Sequence, residues 1–268
     1  MFATHFYEDL ILRTFRGVTM SGYNNLFLAL YRSNPTNTGL AGSEILYEGY
    51  QRQPITFSAP TIEDTPSSSG TPNVSVINER ELLFPIIASD SDNVTHVGIV
   101  TSQTVGAGSM LLYGEFAEPR RMLANTQPKI AAGSLRYTLE GNWSNWFKMQ
   151  VLNTLRGQSV QGFTPFAALY SGNPQSGGFE LSGAGYARRA IEYSLPAVQI
   201  GGYTSIANNA AVAFEEAGDN WGNWSHSAVM TGETGSNVIT IYEMPRPYDI
   251  IREDQPVFNP NSVIERLN

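Results

Sequence analysis

The sequence predicts a mainly β protein made of two tandem copies, each an antiparallel β-sandwich or partly open barrel preceded by one amphipathic helix. Three observations carry this. Six blocks of residues recur in one order; each copy opens on a helix-period segment closed by glycine; the remainder alternates with period two between turn formers. With 41% hydrophobic and 15% charged residues, the 268-residue chain can bury a core. Its 25 Gly, 15 Pro, 13 Tyr and 13 Phe favour short strands and turns over long surface helices.

The repeat sets the architecture. Leu28-Ala29-Leu30-Tyr31 with Ser33-Asn34-Pro35 matches Ala167-Ala168-Leu169-Tyr170 with Gly172-Asn173-Pro174, and Leu12, Thr14, Arg16 and Gly17 match Leu152, Thr154, Arg156 and Gly157. Glu44 with Gly49-Tyr50-Gln51-Arg52 recurs as Glu180 with Gly185-Tyr186-Ala187-Arg188. Phe84 and Thr95-His96 then meet Phe214 and Ser225-His226, Tyr113 meets Tyr242, and Gln127-Pro128 meets Gln255-Pro256. The offset between copies only shrinks along the chain, so the second copy has lost loop residues without rearranging. The largest loss falls where copy 1 carries Glu63 to Pro72, a turn-forming stretch expected at the surface. The boundary is placed near Glu140-Gly141, giving copies at 1–140 and 141–268, each expected to own a core.

In chain order, Tyr7, Ile11 and Phe15 lie at spacing four with Glu8 and Asp9 in the first turn and Arg13 and Arg16 in the last, which predicts a helix stopped by Gly17. Phe147, Val151 and Leu155 repeat the device, with Gly157 as terminator. Leu26 to Tyr31 is apolar on both faces and is expected to be a central strand, covered by the helix on one side and a second sheet on the other. Leu135, Tyr137 and Leu139 alternate as a half-buried strand should, and so do Ile191, Tyr193 and Leu195. Further strands are expected at 80–84, 95–101 and 110–114, with 210–214, 225–230 and 238–242 as equivalents. Asn34-Pro35 and Asn173-Pro174 punctuate turns, and Gly49-Tyr50 and Gly185-Tyr186 mark a bend with the tyrosine over a core edge.

A formal net charge of -8 argues against broad contact with nucleic acid. The first sixteen residues lack the apolar run of a signal peptide, and no stretch is long and apolar enough to suggest a membrane partner. The absence of cysteine removes disulfides, thiolate nucleophiles and Cys-ligated zinc.

The pattern of a helix ending in Arg-Gly, a strand reading Leu-Ala-Leu-Tyr, then Ser-Asn-Pro, Glu and Gly-Tyr-x-Arg resembles a family of small tailed-bacteriophage tail and neck proteins, often labelled tail fibre proteins. Copy 2 is the closer match, through Ser171-Gly172-Asn173-Pro174, Glu180, Gly185-Tyr186-Ala187-Arg188 and the block Asp219 to His226, which is similar to the family's Asp-Trp-Gly-x-Val-Thr-His segment. Copy 1 has no tryptophan before Thr95-His96. The resemblance implies assembly into a virion and names no catalytic residue.

The chemistry-bearing residues converge on no reactive constellation. Glu44 with Arg52 and Glu180 with Arg188 repeat at one spacing, consistent with a charge pair across a hairpin or at a subunit contact. His96 and His226 lack convergent partners and are expected to be satisfied by nearby backbone. Asp90-Ser91-Asp92-Asn93 begins like a calcium loop, but Thr95 stands where glycine is required and Thr101 where the bidentate acid belongs. No catalytic, cofactor-binding or metal-ligating residue is therefore expected, and no cofactor. Of the four tryptophans, Trp143 and Trp146 are expected in the core or the seam between copies. Trp221 and Trp224 are the candidates for a sugar-stacking platform.

Two readings follow. In the first, the chain is a non-enzymatic virion structural protein, assembled in the host cytoplasm and closing a homo-oligomeric ring, most simply a hexamer, with neighbouring virion proteins at the neck, collar or tail tip. Six chains would then present twelve similar modules. The second is a carbohydrate-recognising β module for host attachment. A glycosidase is third, since no pair of acids can be placed by sequence.

Overall fold

The computed structural model describes residues 1–66 and 71–267. Residues 67–70, in the middle of the expected surface excursion, lie outside the described residues. Helix α1, His5–Arg13, continues as a 3-10 turn over Thr14–Arg16 and stops at Gly17, whose φ of 81° only glycine adopts freely. Helix α2, Asn145–Asn153, extends through Thr154–Arg156 to Gly157 in the same way. Thr4 and Ser144 cap the helix starts by accepting the amides of Tyr7 and Phe147.

The rest is antiparallel sheet. In copy 1 the larger sheet runs, in spatial order, Phe2–Ala3, Met110–Met122, Ser91–Val100, Leu26–Tyr31 and Gln53–Ile55; the smaller holds Arg136–Leu139, Pro72–Ile77 and Thr61–Pro66. Copy 2 repeats the plan. Phe166–Ser171 pairs with Gly222–Met230, which pairs with Val238–Ile250, and Ile264–Arg266, Thr204–Ala207 and Ala197–Val198 form the smaller sheet. Among the described residues no sheet closes into a barrel, in keeping with the expected sandwich or partly open arrangement.

Ladder registers refine the sequence alignment. Ile99 faces Leu112, while its counterpart Val229 faces Thr240. The equivalent of Tyr242 is thus Gly114, and the match of Tyr113 to Tyr242 was one residue out of step. The alternation over Ile191 to Leu195 also does not make a strand. Ile191 and Tyr193 are buried, but Leu195 is 63% exposed, and only an isolated bridge from Tyr193 to Asn208 joins this segment to the sheet. Leu26–Tyr31 is covered on both faces as expected, but not by a second sheet on its outer side. There Ala29 and Tyr31 pack with Val100 and Met110 of the same sheet, and the Gly39 turn lies against Met110.

The larger departure concerns the core. Each copy was expected to own one, yet a single apolar cluster runs through both halves, from Tyr7, Ile11 and Phe15 to Phe147, Val151 and Leu155. The reason is that each helix lies between the copies: α1 packs on Met110–Met122 of its own copy and on Thr204–Ala207 of copy 2, and α2 on Val238–Ile250 of its own copy and on Pro72–Ile77 of copy 1. Phe15 meets Phe147 edge-on with ring centroids 5.3 Å apart, and the Tyr7 hydroxyl lies 2.8 Å from Thr154 Oγ1.

Candidate functional site

The residues shared by the two copies gather at two kinds of place, the seam and a buried clamp in each sheet. At the seam the backbone hydrogen bonds are reciprocated. The Met20 amide donates to the Val160 carbonyl and the Val160 amide to the Met20 carbonyl, both at 2.9 Å; Tyr23 N donates to Thr154 O, and Phe163 N to Thr14 O. The Arg16 guanidinium donates to the Tyr193 carbonyl, and Arg156 Nε to the Phe57 carbonyl. When residue i of one copy touches j of the other and j touches i in return, the copies are related by a local two-fold axis.

Glycine makes the approach possible. A Cβ on Gly22 would stand 2.2 Å from the carbonyl carbon of Gly157, and one on Gly162 would stand 2.2 Å from that of Gly17. The Arg-Gly that closes each helix is therefore a seam residue pair as well as a terminator. Gly22→Ala is expected to cost about 2 kcal/mol, because backbone cannot give way as a flexible side chain can. Urea denaturation measures this, and the same substitution at the uncrowded Gly232, whose backbone is not left-handed, controls for the change in residue type.

The clamp explains Glu and Gly-Tyr-x-Arg. Arg52 donates from Nε and Nη2 to both oxygens of Glu44, at 2.8 and 2.7 Å, and from Nη1 to the carbonyls of Ser102, Thr104 and Ala107. Tyr50 donates its hydroxyl to Glu44 and accepts the Leu30 amide. Copy 2 repeats it: Arg188 grips Glu180 by two bonds and ties down Gly232 and Ser236, while Tyr186 donates to Glu180 and accepts Leu169 N. A forked guanidinium is the side chain that can hold a carboxylate and a turn of carbonyls at once. Burial pushes the Tyr50 and Tyr186 hydroxyls well above the ordinary tyrosine range, so both stay protonated donors. The expected charge pair is thus an internal strut that anchors the tip of each long hairpin.

The histidines mark a shared irregularity. In both copies the ladder jumps immediately before them, from Val94–Arg120 to His96–Glu115 and from Trp224–Tyr248 to His226–Glu243, so residues 116–119 and 244–247 bulge from the partner strand. His96 Nδ1 bonds Thr95 Oγ1 at 2.8 Å, and His226 Nδ1 bonds Ser225 Oγ at 3.0 Å. Their partners are the adjacent hydroxyls, not the backbone that sequence reasoning expected. The acids of the short calcium-like turn are also taken, since Asp90 accepts the Ala124 amide and Asp92 pairs with Arg32.

The expected sugar platform does not form. Trp221 and Trp224 are each only 4% exposed. The indole N–H of Trp221 donates to the Ala184 carbonyl and that of Trp224 to Ser227 Oγ, so both rings are core. Trp143 and Trp146 lie as expected, Trp143 within the shared core and Trp146 half-buried against it.

Sequence reasoning missed two buried charges at the seam. Glu8 and Lys148 hold the same position on α1 and α2, and each faces the other copy. Glu8 accepts from Thr204 Oγ1 and Thr204 N, while Lys148 Nζ donates to Thr71 Oγ1 and to the carbonyls of Pro72 and Gly141. It also missed Glu265, wholly buried, which accepts from Trp143 Nε1, Thr240 Oγ1, Tyr193 OH and Tyr242 OH. Copy 1 has Tyr137 at that place, with Ala3 and Phe57 where copy 2 has Trp143 and Tyr193. The one advance signal was the strict 140-residue spacing of Gly17 and Gly22 with Gly157 and Gly162, which marks paired close approaches.

A duplicated β module whose recurrent charged and aromatic residues are engaged in its own struts and seam belongs to the class of structural, assembly-forming proteins. The family model described as podophage GP4 fiber I protein gp80 matches residues 2–138 and again 142–265. The chain belongs to this fibre family and carries two tandem copies of its domain, which makes it a bacteriophage virion component. No curated protein matches it.

Proposed function

We propose that the chain is a non-enzymatic building block of the virion that joins like chains into a closed ring where a fibre meets the tail, at the neck, collar or tail tip. The observation that carries this reading is that the motifs common to both copies are committed to internal packing. What the chain offers outward is shape and sheet edge, the material of assembly. We place the division between the copies at 140/141.

The local dyad changes how such a ring would be built. Neighbouring modules of a twelvefold ring are related by a small rotation about one axis, whereas a dyad relates modules by a half-turn. Copies related by a dyad are therefore not twelve modules equivalent about one ring axis. With the dyad lying across the ring axis, copy 1 faces one rim and copy 2 the other, and each chain bridges two layers of the particle. Native mass spectrometry of the purified chain, with its location in intact particles by electron microscopy, tests this: a closed oligomer, most simply six chains, is expected. A persistent monomer that is absent from particles defeats it.

A further inference from the structure

Copy 1 contains a groove that copy 2 fills with one of its own side chains. The groove, of roughly 270 Å³, lies beside the bulge of the long hairpin, and Phe84, Val94, Phe116 and Ile130 supply much of its apolar lining. By ladder register Val94 corresponds to Trp224, Arg120 to Tyr248 and Ile130 to Phe258. In copy 2 the Trp224 ring lies edge-on to both Tyr248 and Phe258, with centroids 5.4 and 5.6 Å away. Valine, smaller by most of an indole, stands at the same ladder position and lines the groove instead of filling it.

The rim differs as well. Arg120, Arg121 and Lys129 line it, Lys129 also standing 3.9 Å from Glu81 outside the groove, and no carboxylate is among the lining residues, in a chain whose net charge is -8. Their counterparts in copy 2 are Tyr248, Asp249 and Val257, so the cations accompany the vacancy. Arg120 is held in place, its guanidinium 4.3 Å above the Phe116 ring and its Nη1 donating to the Lys129 carbonyl at 3.0 Å.

We propose that this copy-1 groove is a docking site for an acidic peptide segment of a neighbouring virion protein, which inserts one aromatic side chain where copy 2 inserts Trp224. The aromatic ring takes the apolar floor, and flanking carboxylates meet the three cations. A nucleic acid would bring aromatic bases and anions too, but the acidic chain around the patch repels a polyanion, and three cations match one or two carboxylates. The proposal stands on the difference between the copies and not on ring formation, so either can fail alone.

The test uses the full chain and a fluorescein-labelled peptide, Asp-Glu-Gly-Trp-Gly-Glu-Asp, followed by fluorescence polarisation. Saturable binding is expected that weakens with salt and drops at least tenfold in Val94→Trp, which plugs the groove as copy 2 does, and in the surface variant Arg121→Glu. A peptide with serine for tryptophan should bind at least tenfold more weakly. The proposal is overturned by no saturable binding to the parent chain, by equal binding to a folded Val94→Trp variant, or by equally strong competition from oligothymidylate. If sedimentation instead shows the parent self-associating and Val94→Trp not, the occupant is a second copy and the proposal fails in that form.

Discussion

Lys148→Glu is expected to cost about 4 kcal/mol or more, a large part of the stability of an ordinary domain. Lys148 is wholly buried, and its ammonium is held by the Pro72 and Gly141 carbonyls and Thr71 Oγ1. A carboxylate there would be desolvated and would face two carbonyl oxygens that offer it no proton. Denaturant midpoints measure the loss, and an unchanged midpoint would show that α2 does not lie across the seam. Adding Glu8→Lys should not rescue the variant, because Glu8 faces the Thr204 amide and hydroxyl and not Lys148.

The same residue gives a pH signature. Burial pushes the Lys148 ammonium down to about 8, opposed in part by Glu140. Between about pH 8 and its ordinary value of 10.5 the unfolded chain holds a proton that the folded chain has released, so stability rises with pH in that window, by up to roughly 3 kcal/mol. Above pH 10 the effect reverses. Buried Tyr7, Tyr137 and Tyr193 are raised by desolvation, and the folded chain then keeps protons that the unfolded chain gives up. Stability should climb from about pH 8 and turn over near pH 10, and Lys148→Met should remove the climb.

Glu265→Ala is the second large effect, about 4 kcal/mol, because it strips the acceptor from three buried donors, Trp143, Tyr193 and Thr240, and from the half-buried Tyr242, which keeps the Ile264 carbonyl. Glu265→Gln, which keeps an acceptor oxygen, should cost about half of that. Burial raises the Glu265 carboxyl against the pull of its four donors. The folded chain therefore binds the proton more tightly than the unfolded chain, a contribution complete below the ordinary value of 4.5 and lost as pH rises through the folded one. The glutamine variant should accordingly fall further behind the parent at pH 4 than at pH 7. A gap that narrows on acidification would contradict this.

Locally encoded features were legible. Gly17 and Gly157 terminate their helices with positive φ, and Asn34 and Asn173 accept the amides of Thr36 and Gln175 two residues on, as turn chemistry requires. The Glu44–Arg52 and Glu180–Arg188 pairs were visible because a spacing kept through duplication survives in sequence. The Tyr113–Tyr242 match failed because one residue of ladder register exchanges the faces of a strand without altering its composition. The tryptophans misled because Trp221 and Trp224 sit among Asn, Asp and Gly, while their rings turn inward.

The sequence by itself determined that there are two copies, that a helix opens each, that sheet follows, and where the turns and struts fall, since these depend on residues near one another in the chain or on repetition. Only the tertiary structure decided that the helices cross to the opposite copy, that one core serves both, and that Val94 leaves open what Trp224 fills. A helix packed on its own sheet and one that also meets its neighbour's present the same apolar stripe. Periodicity cannot separate them, and the choice is made by contacts more than a hundred residues apart.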